Sequence, residues 1–201
     1  MDLQKVNVKF FVENGSGVPL DVFIHVFNSW IQASDGEYYD VADYSHVPAG
    51  PGIVLIAHEA NTSIDETGNR RGLLYNRKAP LEGTNRERLL LVVERALDNC
   101  RRLEKESSLK GRLKFRGSEA LLMINDRLLA PNTPETFQVV KPDLEKLARE
   151  LYGGVDFTLE YQTDPRQRFA VRLRAGGEFE VEALLRNIEG VGTNPSCGSQ
   201  V

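Results

Sequence analysis

The chain has 201 residues, 41% of them apolar and 27% charged, with a formal net charge of −4. That size and mixture describe an ordinary soluble globular protein with room for one large domain or two small halves around a real core. Total charge gives no sign of nucleic-acid binding, and only two cysteines argue against a disulfide framework.

The N-terminal stretch has no apolar h-region and turns polar at Glu13, so it does not read as a signal peptide. The longest apolar runs, Ile53–Ala57 and Leu89–Val93, are too short to span a bilayer. A cytoplasmic protein without membrane contact is therefore the expectation.

Residues Lys5 to Glu13 alternate, with Val6, Val8, Phe10 and Val12 on one face, and predict a first strand. Leu20, Phe23, Ile24, Phe27 and Ile31 then follow a helical period after Pro19, which suits a first turn. Residues 34–52 read as a loop rich in Tyr, Asp and Gly. Two strands, Ile53–Glu66 and Gly72–Lys78, flank the turn signal Thr67-Gly68-Asn69 and make a hairpin.

Thr84 or Asn85 caps a long helix ending near Glu106, with Cys100 in its apolar stripe. Strand signals return at Arg112–Arg116 and Glu119–Leu129. Another helix opens at Thr133-Pro134-Glu135, with an interruption expected at Pro142 and an end at Gly153. Val155–Gln162 and Arg168–Ala175 form a second hairpin around Asp164-Pro165-Arg166, and Glu180–Ile188 reads as a short terminal helix. Residues 190–201, with Cys197, read as a disordered tail.

These elements predict an α+β fold with two βαββ-like halves, residues 1–108 and 109–189, in one compact unit. The two hairpins align without a gap, a faint internal repeat. The first six elements follow the ferredoxin-like order, with helices on one side of a largely antiparallel sheet.

Polar groups cluster between Asp40 and Lys78, beside strand-like apolar runs. Burying such groups is costly unless they are paired, so the cluster marks a candidate site. His58 and Glu59 stand where the run Ile53–Ala57 stops. His58 suits a general acid or base, Glu59 can orient it, and Arg77 offers a planar fork to a carboxylate or phosphate. The plainer reading is a strand turning polar as it reaches solvent. Asp40, Asp43 and His46 lie in the neighbouring loop, whose Gly50 and Gly52 amides can cradle an anion. A second cluster, Asn125-Asp126-Arg127, can complete a composite site, or Asp126 can simply satisfy backbone groups.

No metal site is expected, because HEANT is not HExxH. Nucleotide-loop and Gly-x-Ser-x-Gly patterns are absent, so the sequence identifies no cofactor and no serine nucleophile. Lys110, Arg112, Lys114 and Arg116 alternate with apolar residues, as do Arg166, Arg168, Arg172 and Arg174, giving one-sided basic stripes. Paired aromatics for stacking bases are missing there, so a solvated, salt-bridged face is the first reading and nucleic acid the lesser one.

The segments VNVKFFVE, GLLYNRK, INDRLLAPNT and the YGG…DPRQRF hairpin resemble a bacterial protein family with no established function, over about Val6 to Ala175. The resemblance implies a stand-alone bacterial cytosolic domain and assigns no catalytic residue. The expectations rank in order: a small anionic ligand, with acid/base catalysis an open question; a non-enzymatic interaction or assembly module, including a homo-oligomer; and RNA or polyanion binding.

Overall fold

Strict alternation makes Val6–Val12 a strand, β1, with Val6, Val8 and Phe10 on one face and Asn7, Lys9 and Phe11 on the other. A computed structural model describes residues 1–13, 17–109 and 111–189. The expected tail at 190–201 and the stripe position Lys110 lie outside the described residues.

Helix α1 (Leu20–Ala33) follows, then β2 (Tyr38–Tyr44), β3 (Gly52–Ala57), β4 (Ala60–Asp65) and β5 (Gly72–Arg77). The long α2 (Asn85–Glu104) leads to β6 (Phe115–Ile124), α3 (Pro134–Leu151), β7 (Phe157–Tyr161), β8 (Ala170–Ala175) and α4 (Val181–Glu189). Among the described residues, eight strands form one sheet in the order β2-β3-β4-β5-β1-β6-β8-β7, and every neighbouring pair is antiparallel. The fold is α+β.

Several expectations change. The loop at 34–52 contains β2, an edge strand. Its Asp and Tyr residues hide the alternation because an edge strand needs little burial. The run Ile53–Glu66 is two strands folded back at His58 and Glu59, so four strands separate α1 from α2 and the βαββαβ succession is not kept. Arg112 and Lys114 precede β6, which is a single strand. Pro142 sits inside α3 without ending it. In the second hairpin, Thr158 faces Arg174 and Glu160 faces Arg172, a register two residues away from the one a three-residue loop would set.

The helices lie over one face of the sheet. α1 buries Phe23, Val26, Phe27 and Trp30, and α2 buries a stripe from Leu89 to Leu103; both join one core with Val8, Leu55, Leu73, Leu122 and Val171. Each fully buried aromatic or aliphatic side chain there contributes about 1.5–3 kcal/mol. α2 begins with a capping box, in which the Thr84 hydroxyl accepts from the Glu87 amide and the Glu87 carboxylate accepts from the Thr84 amide. α1 packs on β2 and β3, and α2 on β1 and β5. Between α2 and the start of β2, the Ala60–Thr62 end of β4 becomes the floor of a groove.

Candidate functional site

The groove has a volume of about 1220 Å³. Its floor is made by Tyr38, Ala57, Ala60, Thr62 and Tyr75, which strand alternation turns toward the helix side of the sheet. Small residues on β4 leave the depth. One wall is the face of α2 that carries Arg95, Asn99 and Arg102, spaced so that all three point the same way. The far lip is the segment Gly36–Glu37, and the mouth carries His58 and Glu59.

Each wall group has a defined state. The Arg102 guanidinium lies 3.9 Å from the centre of the Trp30 ring, a cation–π contact that keeps it flat and leaves its edges free to donate. Asn99 Nδ2 donates to Thr62 Oγ1 at 3.0 Å, tying the wall to the floor. Arg101, Lys105 and Asp98 also line the groove, where Arg101 pairs with Asp98 and Glu182 and Lys105 with Glu182. Arg95 is exposed and sits close enough to Tyr75 to favour its ionised form.

Both floor phenols are nonetheless held protonated. Burial, helped by the hydrogen bond to Glu37, pushes Tyr38 up to about 12. Burial also raises Tyr75, against the pull of Arg77 and Arg95. At neutral pH both phenols are therefore neutral: the Tyr38 O–H is already given to Glu37, and Tyr75 offers its O–H beneath a wall of guanidinium donors.

The residues expected from the sequence fall in different places. His58 and Glu59 form the two-residue turn between β3 and β4, and the His58 ring rests 4.9 Å from that of Tyr39. Arg77 donates to Glu59 Oε2 at 2.6 Å, to Ala79 O at 3.0 Å and to Pro80 O at 3.4 Å. Its guanidinium pins the loop after β5 and is absent from the groove lining. Asp40 and Asp43 lie on β2, where each carboxylate accepts a nearby backbone N–H, from Val41 and Ser45. His46, just beyond, stacks on Tyr44 with centroids 6.4 Å apart. None of these three lines the groove.

Asn125, Asp126 and Arg127 occupy the turn after β6. Asp126 accepts from the Leu128 and Leu129 amides and from Lys5 at 3.3 Å, and Asn125 accepts from Arg168 at 3.3 Å. The Leu129 amide and the Lys5 ammonium hold the Asp126 carboxyl below the usual range. This turn shares an end of the sheet with His58 and Glu59, but β5 and β1 intervene, a separation of about 14 Å at the usual strand spacing. The two clusters do not form one pocket. Arg95, Asn99 and Arg102 were missed because they stand on the polar side of an amphipathic helix, where solvation is the ordinary reading. Their shared spacing was the available signal.

Among the described residues, no three His, Cys, Asp or Glu side chains gather as a metal site, and no helix is long and apolar enough to cross a membrane. No protein-family model, no curated protein and no solved structure matches the chain.

Proposed function

We propose that the groove between α2 and the start of β2 binds a small anionic ligand that carries a carboxylate or phosphate on a flat apolar body. The observation that carries this reading is Arg102, held against Trp30 on the same helix face as Arg95, above two protonated phenols. The guanidiniums suit the anion, and Tyr38, Ala57, Ala60 and Tyr75 suit the flat part. A groove of this volume leaves such a ligand partly solvated. An acid/base role belongs to the same proposal and rests on His58 at the mouth, because Glu59 is paired with Arg77.

A thermal-shift panel of aromatic carboxylates and phosphate esters tests the reading. A ligand at about a hundred times its dissociation constant stabilises the fold by roughly 2.7 kcal/mol. The expected hit disappears in both Arg95→Gln and Arg102→Gln while the unliganded melting temperature barely moves. A panel without hits, or a hit indifferent to both changes, ends the proposal. His58→Gln should leave affinity intact and abolish any turnover.

One observation favours assembly as the second reading. Edge strand β2 leaves Tyr39 and Tyr44 51% and 43% exposed beside a backbone edge that pairs with no other strand among the described residues. Sizing across concentration separates the two readings, since a monomer throughout removes assembly. We also infer that the chain is built from two related halves. The central neighbours β1 and β6 are each followed by a helix, and each closes against the last strand of its half, β5 or β8.

A further inference from the structure

The sheet face opposite the helices carries a separate cluster of charge. Glu119 on β6 is only 4% exposed, and four arginines turn toward it. Arg70, beside the turn into β5, donates to both carboxylate oxygens at 2.7 and 2.8 Å. Arg172 Nε and Arg174 Nε approach Oε1 at 3.4 and 3.6 Å, and Arg116 approaches Oε2 at 3.8 Å. Strand register produces this grouping, because Glu119 faces Arg174 across the β6–β8 ladder and Arg172 stands two residues away on the same face.

One carboxylate cannot balance four guanidiniums. Glu160 accepts from Arg174 at 2.8 Å and supplies a second negative charge. The excess of cation remains, with side chains 36%, 44%, 22% and 43% exposed at Arg70, Arg116, Arg172 and Arg174. A second observation is independent of the charge count. Arg172 Nε is buried and has no hydrogen-bond partner, although Glu119 lies within ion-pair distance. Buried donors are normally bonded, so the single carboxylate, 3.4 Å from this Nε, does not satisfy all the guanidiniums gathered around it.

Phe11 forms the floor. Its ring is 3.8 Å from the Arg70 guanidinium and 5.9 Å from that of Arg172. The ring is 3% exposed and already covered, so no base can stack on it. The site therefore suits phosphate charge without base recognition.

We propose that Arg116, Arg172 and Arg174 bind the linked phosphate groups of a compact polyphosphate, inorganic or nucleotide-borne, while the Arg70–Glu119 pair holds the frame. Arg172 and Arg174 stand about 6.8 Å apart along β8, a span that linked phosphates bridge and one carboxylate does not. Their planar forks match phosphate oxygens. This site lies on the face away from the groove, and its fate is independent of the groove ligand.

Titration calorimetry of the full chain with inorganic tripolyphosphate tests it, alongside ATP and an oligothymidylate of ten nucleotides. Tripolyphosphate should bind wild type with an affinity that falls as salt rises. Arg172→Gln/Arg174→Gln should weaken it at least tenfold, and Arg95→Gln should leave it unchanged. ATP binding beside tripolyphosphate marks the nucleotide-borne source, and tripolyphosphate alone the inorganic one. If the double variant fails to fold, Arg116→Gln serves instead, with a loss of at least threefold. The proposal is overturned by no binding, by equal binding in the folded variant, by loss in Arg95→Gln, or by an oligonucleotide that binds more tightly than tripolyphosphate.

Discussion

Lys9 Nζ lies 2.5 Å from Asp65 Oδ1, and both side chains are 3% exposed although, among the described residues, no helix covers their face of the sheet. The pair is closed by Thr67, whose backbone N–H and hydroxyl donate to Asp65 and whose carbonyl accepts from Lys9. Burial draws the Lys9 ammonium below the usual lysine range, and Asp65 opposes that shift. The pair ties β1 to the end of β4 across β5, from which the intervening Gly72 presents no side chain.

Removing one partner of such a pair leaves a buried charge. Lys9→Met should cost about 3–5 kcal/mol, while Lys9→Met/Asp65→Leu should recover most of that loss. Urea unfolding of both variants measures the difference. A single variant as stable as wild type would mean that water already reaches Asp65.

Glu119 predicts a pH dependence. The hydrogen bonds from Arg70 hold its carboxyl below the usual range. A folded value beneath the unfolded one contributes stability that is present above the unfolded pKa, about 4.3, and lost as pH falls through the folded value. Calorimetry between pH 6 and about 3 should therefore find a steeper loss of melting temperature in wild type than in Glu119→Gln. Glu119→Gln should already be less stable at pH 7, where it leaves the arginines facing one another. Parallel curves would remove Glu119 from the linkage.

Trp30 is the only tryptophan and is 2% exposed beneath Arg102. Its ring also packs on Phe27, with centroids 5.4 Å apart, and of the two contacts only the one with Arg102 belongs to the groove wall. Arg102→Ala should change the emission intensity and lower stability by about 0.5–1 kcal/mol. A groove ligand that engages Arg102 should perturb wild-type emission and leave that of Arg102→Ala unmoved. Unchanged emission on saturating a thermal-shift hit would place that ligand elsewhere.

Gly52 opens β3 with φ +63°, and a Cβ there would meet Ile64 O at 2.0 Å. Gly52→Ala should therefore cost more than the ~1–2 kcal/mol that a left-handed conformation alone costs an L-residue. Chemical denaturation would expose a smaller loss, which would mean the β3–β4 pair can separate at that end.

The helices were legible because their signals are local. Thr84 with Glu87, and Pro134 after Thr133, mark the starts of α2 and α3 within a residue. The turn at Thr67–Asn69 was equally plain, since Gly68 and Asn69 adopt the positive φ those residue types accept. β2 was not legible, because an edge strand carries Tyr and Asp without alternation. The bend at His58–Glu59 was hidden for another reason: neither residue has a positive φ and neither is a turn former. In the candidate site, His58 and Glu59 could be found from the end of an apolar run. The cationic wall could not, because opposing it to Trp30 and Tyr38 is a product of tertiary packing.

β1 precedes the other strands of its sheet in the chain and lies in the middle of the finished sheet. One neighbour, β5, follows only after four other elements. The other pairs Val8 with Leu122, across more than half the chain. During synthesis this apolar strand waits, with both edges unpaired, for partners that have not yet emerged. Such long-range closure favours slow folding and exposes sticky intermediates. Within this sheet, β1 is thus the strand for which a growing chain most needs protection.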